Sequence, residues 1–239
     1  MDDLKIYWRR HELSIGDYLM SHQDGLRDDF MRGYDTLEEA ARAQTELVMK
    51  PWRLQDRRDR GLPAHQIERP VTTNGETNVE AWRATPFRYE RHDHIDISYT
   101  APDDFRARYP TANKLITEYG EHCPIANYTV LAPNSVLQRH TGVENRDGEF
   151  IRIHIPLIIP EGDVFFEAGG EEIDWTDIWG FNNQIAHSAH NYTNEWRLLF
   201  LIDIRRTFIG LEPGKPYDPK YESDNMPPFV RKPKPNLTK

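Results

Sequence analysis

The stretch Ile151-Arg152-Ile153-His154-Ile155-Pro156-Leu157 alternates apolar side chains with other types. Because successive residues of a β-strand point to opposite faces of a sheet, the three isoleucines share one face and Arg152 shares the other with His154. A second run, residues 197–203, is almost entirely apolar and begins with Arg197. The two runs predict buried strands that carry basic side chains.

Further short β-type segments lie on both sides of this stretch and are separated by turn-forming residues. Such short strands with frequent turns predict a β-sandwich or a β-barrel. The strand candidates are residues 128–131, 164–167 and 178–181, with a turn at 133–134, a second turn at 160–163 and a hairpin signal at 168–171.

Two histidines, His140 and His187, lie next to these segments and far apart in the sequence. They can meet only if the strands between them fold into a sheet. Neutral imidazole binds iron, zinc, copper and nickel, so two converging histidines with open coordination positions would form a catalytic metal site. The alternative is that both are ordinary surface or core residues, since the chain contains 10 histidines.

Arg197 enters an apolar strand and therefore needs a partner for its charge. A carboxylate ligand held by the two-pronged guanidinium is one such partner. A structural ion pair with Asp203, or with a glutamate, is the alternative, and the residues by themselves leave both interpretations open.

Several motifs in the same order resemble the aspartyl/asparaginyl β-hydroxylase family over about residues 125–206. The motifs are His140-Thr141-Gly142, Arg152-Ile153-His154, Phe181-Asn182-Asn183 followed by His187, and the run 197–203. The resemblance implies an iron(II)- and 2-oxoglutarate-dependent oxygenase that consumes O2. It also implies a mainly β (α+β) fold, a double-stranded β-helix of the jelly-roll, cupin-like type, with N-terminal helices packed on it.

The resemblance also implies roles for individual residues. His140 and His187 match the two iron ligands and would form the catalytic centre. The residues that match positions around 2-oxoglutarate are Arg197 at the distal carboxylate, Arg152 and His154 along the same co-substrate, and Thr129 where the family places a serine.

Two positions differ from what many iron oxygenases carry. Their facial triad has an acid at the position of Gly142, and glycine cannot ligate through a side chain. The resembled family itself has glycine there, whereas iron halogenases use the same vacancy for chloride. The family also has an Asp-Asp pair where this chain has Asn182 and Asn183, which changes the groups that tune metal affinity.

Composition narrows the class of protein further. The length of 239 residues fits one domain with extensions, and the net charge of −9 with pI ≈ 5.6 argues against nucleic acid or an anionic membrane as a partner. The start of the chain lacks a secretory signal, and no apolar run reaches the length of a membrane span, so we expect a cytoplasmic protein. Cys123 is the only cysteine, which excludes an intrachain disulfide.

The N-terminal half is rich in helix-forming residues. Thr36, with Glu39 three residues later, predicts a capped helix over about 37–49. Residues 102–120 predict another short helix with its N-terminal turn. Residues 61–86 are interpreted as an irregular loop, and the spacing of His92 and His94 is interpreted as a polar strand or loop rather than a second metal site.

We therefore expect three regions: residues 1–124 pack on the core and shape the substrate pocket, residues 125–206 form the catalytic core, and residues 207–239 form a proline-rich extended tail. The expected reaction is hydroxylation of an amino acid, or of an aspartyl/asparaginyl-type residue of a peptide or protein. The alternatives are a non-catalytic β-helix domain that binds a ligand or partner, and an iron/2-oxoglutarate halogenase. The oligomeric state stays open.

Overall fold

A computed structural model describes residues 5–46, 71–92, 96–142, 145, 147–216, 218, 220 and 229–230. Thirteen β-strands within these residues form two sheets, in which every strand pair is antiparallel. The strands are β1 (Tyr7–Arg9), β2 (Val71–Thr73), β3 (Glu76–Thr77), β4 (Trp82–His92), β5 (Asp96–Thr100), β6 (Ile125–Leu131), β7 (Ser135–His140), β8 (Phe150–Ile158), β9 (Val164–Ala168), β10 (Glu171–Ile173), β11 (Trp179–Phe181), β12 (His187–Asn191) and β13 (Arg197–Arg205).

The same residues contain five α-helices and several short 3-10 turns. The helices are α1 (Gly16–Met20), α2 (Gln23–Met31), α3 (Leu37–Glu46), α4 (Asp103–Arg106) and α5 (Pro110–Tyr119), and the 3-10 turns are Arg10–Glu12, Val79–Ala81, Gly120–His122 and Arg206–Ile209. None of the helices in the described residues is long and apolar enough to cross a membrane.

The larger sheet has the strand order β1-β11-β8-β13-β6-β4-β5, and the smaller sheet has the order β10-β9-β12-β7-β2-β3. The two sheets face each other across a shared apolar core. The smaller sheet contributes Phe166 and Ala189 to this core, and the larger sheet contributes Phe181 and Leu201. The double-stranded β-helix expected from the sequence is therefore confirmed.

Strand alternation separates the two faces of the larger sheet. On β8, Ile151, Ile153 and Ile155 pack into the core cluster that contains the helices. Arg152 and His154 point the opposite way, and the ring of His154 contacts Phe166 of the smaller sheet, with 5.0 Å between ring centroids. The predicted alternation of β8 is thus present, and it places the basic side chains between the sheets.

The helices cover the outer face of the larger sheet through an aromatic cluster. Phe30 of α2 packs on Tyr128 of β6 with 4.8 Å between ring centroids, and the Tyr128 hydroxyl donates a hydrogen bond to the Leu26 carbonyl at 2.9 Å. Phe87 and Phe200 complete the cluster around the Tyr128 ring. Since Leu26 and Phe30 are fully buried, α2 is fixed to the sheet by both apolar packing and a hydrogen bond.

The predicted cap of α3 forms as expected. The Glu39 amide donates to the Thr36 hydroxyl at 3.2 Å, and the Thr36 amide donates to the Glu39 carboxylate at 3.1 Å. This reciprocal pair satisfies two backbone amides that the first helical turn leaves without partners. The helix extends at least to Glu46, and residues 47–49 of the prediction lie outside the described residues.

The prediction of an irregular loop over residues 61–86 is wrong for its second half. Strands β2 and β3 form a hairpin closed by Asn74 and Gly75, whose φ angles of 51° and 84° are those of a tight two-residue turn. An Asn-Gly pair is a strong hairpin signal, and it was readable in the sequence. Pro86 lies inside β4, where the register with β6 shifts because proline has no amide hydrogen to donate.

Strands from before residue 125 therefore extend both sheets. Strand β1 pairs with β11 and β4 pairs with β6 in the larger sheet, while β2 pairs with β7 in the smaller one. Residues 93–95, which include His94, lie outside the described part of the chain, as do residues 47–70 and most of the proline-rich tail.

We expect Leu26→Ala to lower the free energy of unfolding by about 2–5 kcal/mol, because it leaves a cavity between α2 and the sheet. Urea denaturation measures this change. Val230→Ala is the control, since Val230 is 78% exposed and its truncation should change stability by no more than about 0.5 kcal/mol. Equal stability of the two variants would contradict the packing of α2 on the sheet.

Candidate active site

The smaller sheet brings His140 and His187 together as a cross-strand pair at the ends of β7 and β12. Their ring centroids lie 4.3 Å apart with an interplanar angle of 56°. The pairing of β7 with β12 contains a bulge: Ala189 is opposite Leu137, so one extra residue of β7 separates Leu137 from His140. The bulge reverses the alternation, so that His140 faces the same side as Leu137.

The backbone sets the tautomer of both histidines. The Nδ1 atom of His140 lies 2.8 Å from the Gln138 carbonyl oxygen, and the Nδ1 atom of His187 lies 2.7 Å from the Ile185 carbonyl oxygen. A carbonyl only accepts hydrogen bonds, so each Nδ1 carries the hydrogen and each Nε2 keeps its lone pair. This is the arrangement in which histidine binds a metal through Nε2.

Gly142, two residues after His140, has no room for a side chain. A Cβ atom on Gly142 would lie 2.4 Å from Asn183 Nδ2 and 2.9 Å from the Asn183 carbonyl oxygen. The Gly142 amide also donates to that carbonyl at 2.7 Å, and the Asn183 side chain accepts a hydrogen bond from Asn145 at 2.8 Å. An acid at position 142 would therefore collide with the packed loop around Asn183.

His140 and His187 are two candidate metal ligands that lie side by side. Among the residues that the structure describes, no group of three or more His, Cys, Asp or Glu side chains is arranged to hold a metal ion. The candidate centre accordingly offers two imidazole nitrogens and leaves its other positions to ligands from outside the described chain.

Arg197 at the start of β13 is a buried cation. Its side chain is 2% exposed, and its Nε atom has no hydrogen-bond partner among the described residues. Its guanidinium carbon lies 4.5 Å from the centroid of the Trp175 ring. Burial lowers the pKa of Arg197 to about 9, so the group is still cationic at pH 7. A carboxylate partner would stabilise this buried cation.

A second buried polar group lies on the strand beside Arg197. Thr129 of β6 faces the same side of the sheet as Arg197 of β13, since Leu131 is opposite Arg197 and Leu199 is opposite Thr129. The Thr129 hydroxyl is buried and makes no hydrogen bond to the described residues. Buried polar atoms are nearly always satisfied in folded proteins, and one ligand carboxylate placed between these two groups would satisfy both.

The ion pair considered for Arg197 is formed by Arg152 instead. Arg152 Nε and Nη2 donate to the two Asp203 oxygens, each at 2.8 Å, and Asp203 is fully buried. The protein itself therefore compensates the charge of Arg152. Its predicted contact with a co-substrate stays a prediction.

His154 is buried between Arg152 and Arg197 on the interior face. Burial, followed by the charges of Arg197 and Arg152 and by His187, holds the pKa of His154 well below its usual value, so the ring is neutral. The Trp175 indole N–H donates to His154 Nδ1 at 3.3 Å. The hydrogen of the neutral ring is therefore on Nε2.

The sequence analysis missed two residues that shape the site. Trp175 follows a hairpin signal, and nothing in its spacing distinguishes it from the other five tryptophans of the chain. Asn145 holds the side chain of Asn183 and also exchanges hydrogen bonds with the backbone of Phe150. The contacts of Trp175 with His154 and of Asn145 with Asn183 have no local sequence signal, because only the fold brings these residues together.

Residues 54–207 match the family model described as aspartyl/asparaginyl β-hydroxylase. A comparison with curated proteins yields no match. Among solved structures, an oxidoreductase of the 2OG-Fe(II) oxygenase family from Burkholderia pseudomallei has a TM-score of 0.36 and 12% identity, covering 69% of this chain and 79% of its own.

Two further solved structures have similar scores. A prolyl-4-hydroxylase from Pseudomonas putida has a TM-score of 0.32 and 12% identity, covering 77% of this chain and 100% of its own. A prolyl hydroxylase from Trichoplax adhaerens, solved with a hypoxia inducible factor peptide fragment, has a TM-score of 0.30 and 11% identity. The match covers 79% of this chain and 92% of the Trichoplax chain.

We expect Gly142→Ala to lower the free energy of unfolding by about 1–3 kcal/mol, since the added methyl group forces Asn183 to move. Thermal or urea unfolding measures the loss. Asn183→Ala in the same background should restore only part of it, because the Asn183 carbonyl oxygen still lies 2.9 Å from the new Cβ. A Gly142→Ala variant as stable as the wild type would disprove the tight contact.

We expect Asp203→Asn to cost about 3–5 kcal/mol, because it leaves the charge of Arg152 buried without its partner. The double variant Arg152→Met/Asp203→Leu, which replaces the pair by apolar side chains, should recover most of that loss. The matched control is Glu149→Gln, which breaks the ion pair of the partly exposed Arg205 on the same strand and should cost no more than about 1 kcal/mol. An Asp203→Asn cost as small as the control would show that the pair is not buried as described.

Proposed function

The chain belongs to the aspartyl/asparaginyl β-hydroxylase family, and we propose that this hydroxylase is an iron(II)- and 2-oxoglutarate-dependent dioxygenase acting on an amino acid or on an aspartyl/asparaginyl-type residue. The observation that carries the proposal is the buried guanidinium of Arg197, whose Nε has no partner in the described residues. Arg197 lies between the same two sheets as His140 and His187, whose Nδ1 atoms donate to carbonyl oxygens and leave Nε2 as the metal-binding atom.

The residues present fit an iron(II) ion. His140 and His187 would hold it through Nε2, because their Nδ1 atoms already donate to carbonyl oxygens. When bound, iron(II) and 2-oxoglutarate supply the oxidation of a substrate C–H bond to C–OH, with one oxygen atom of O2 entering the product and the other entering succinate as CO2 is released. The protein's part is to orient and enclose these groups.

The residues at the other end of the interior fit the second carboxylate of 2-oxoglutarate. Arg197 would bind it by charge and the Thr129 hydroxyl by a hydrogen bond, which satisfies both buried atoms at once. His154, neutral with its hydrogen on Nε2, would donate to a co-substrate oxygen without adding charge. Arg152, held by Asp203, would line the same interior.

The charges of these groups bear on the substrate. Iron(II) and Arg197 together would bring three positive charges, and 2-oxoglutarate brings two negative ones. Arg152 and Asp203 cancel each other, His154 is neutral, and Gly142 supplies no acid. This balance favours a substrate that carries a net negative charge, which supports an aspartyl-type side chain.

We expect 2-oxoglutarate, titrated anaerobically into the iron(II)-loaded protein, to produce the visible charge-transfer band of a keto acid chelated to iron. His187→Ala should abolish the band by removing a ligand, and Arg197→Ala should raise the 2-oxoglutarate concentration needed for it by at least about tenfold, the loss of one charge-assisted hydrogen bond.

Matched controls lie on the same strands. His190 is on β12 but stacks on Phe165 of the outer face, and Arg205 is at the far end of β13, paired with Glu149. His190→Ala and Arg205→Ala should both keep the band. Absence of the band in wild-type protein that has been shown to bind iron would refute the proposed co-substrate.

Product analysis then identifies the reaction. Succinate release that depends on an added amino acid or peptide, together with a product heavier by one oxygen atom, is the expected result. A chlorinated product whose formation requires chloride would instead identify the protein as a halogenase, with chloride bound beside Gly142.

A further inference from the structure

Trp175 lies between β10 and β11 and touches two of the residues assigned to the co-substrate. It is 3% exposed. Its indole N–H donates to His154 Nδ1 at 3.3 Å, and the guanidinium carbon of Arg197 lies 4.5 Å from the centroid of its ring. One side chain thus contacts residues of two neighbouring strands, β8 and β13.

The hydrogen bond from Trp175 to His154 allows only one tautomer of the neutral imidazole. An indole N–H can only donate, so His154 Nδ1 must keep its lone pair and the ring hydrogen must be on Nε2. The rings of Phe166, Trp179 and Phe181 also contact His154, but the Trp179 indole nitrogen makes no hydrogen bond to the described residues. Trp175 is therefore the residue that decides which nitrogen of His154 can donate to a ligand.

The ring of Trp175 acts on Arg197 at the same time. A guanidinium near the face of an indole is attracted by the ring electrons, and this attraction is strongest where water is excluded. Within the described residues, the buried Arg197 Nε has no hydrogen-bond partner. The ring thus supports the guanidinium in the orientation that it has in the free protein.

We propose that Trp175 is a positioning residue for 2-oxoglutarate: its N–H holds His154 in the form that donates from Nε2, and its ring holds the Arg197 guanidinium for the carboxylate. Without the indole N–H, the hydrogen of His154 would be able to move to Nδ1, and the Nε2 lone pair would then face an anionic ligand. This inference rests on the proposed function, because it concerns the co-substrate of the same site.

The first measurement is a nitrogen-15 NMR spectrum of the histidine rings in the full chain, recorded metal-free and with zinc(II) as a diamagnetic metal. The signal of His154 is assigned by its absence from His154→Gln. The wild type should show His154 with hydrogen on Nε2 only. A wild-type spectrum with the hydrogen on Nδ1 would overturn the inference, even if no variant folds.

The variant Trp175→Phe separates the two contacts, since it keeps an aromatic ring near Arg197 and removes the N–H. We expect the Nδ1–H form of His154 to appear in its spectrum. The matched control is Trp179→Phe, because Trp179 touches the same imidazole at 4.3 Å between ring centroids without donating to it. An unchanged His154 spectrum in Trp175→Phe, or an equal change in Trp179→Phe, would overturn the assignment.

Binding of 2-oxoglutarate, measured by the charge-transfer titration, tests the consequence. Trp175→Phe should weaken binding roughly 3–10-fold, the size of one lost neutral hydrogen bond, and Trp175→Leu should weaken it roughly 30-fold or more because the aromatic support of Arg197 is also lost. If the wild type binds iron and 2-oxoglutarate but both variants bind as tightly, the inference fails while the proposed function stands. If the wild type binds no 2-oxoglutarate, the proposed function fails, and the spectra still decide whether Trp175 sets the tautomer of His154.

Discussion

The constraint on which the interior of this fold depends is the buried guanidinium of Arg197, whose Nε atom has no partner among the described residues. Arg197 begins an apolar strand, and its cross-strand neighbour on β6 is Leu131, which cannot compensate its charge. The Trp175 ring relieves part of the cost of burial. A ligand carboxylate at Arg197 would offset the remaining cost, because a charge removed from water is tolerated only where a partner meets it.

Arg152 lies on the same face of the same sheet as Arg197, but a carboxylate of the protein compensates its charge. Its cross-strand neighbour on β13 is Asp203, and the two side chains form a buried bidentate pair. Strand alternation brings both arginines into the interior, and the residue opposite each one then decides whether it stabilises the fold or remains available to a ligand. His154 lies between them and stays neutral, so the interior carries little uncompensated charge besides that of Arg197.

The two histidines of the site depend on backbone geometry instead. A bulge in β7 turns His140 toward His187, and two carbonyl oxygens orient both rings. The loop of Asn183 packs so closely on Gly142 that a side chain cannot fit there. The glycine therefore has two consequences: this position carries no carboxylate, and the loop that follows β11 packs directly against the backbone of Gly142.

Much of this protein follows from the sequence by itself: the alternation of β8, the cap at Thr36, the paired histidines and the order of motifs indicate the fold and the family, because each depends on residues near in sequence or on a recurring spacing. The Asn74-Gly75 hairpin was equally readable and was overlooked. Tertiary structure alone decided that Asp203 pairs with Arg152 rather than Arg197, that Asn183 fills the space at Gly142, and that Trp175 joins His154 to Arg197. These contacts depend on register and burial across strands, and both arise only when distant segments pack against each other.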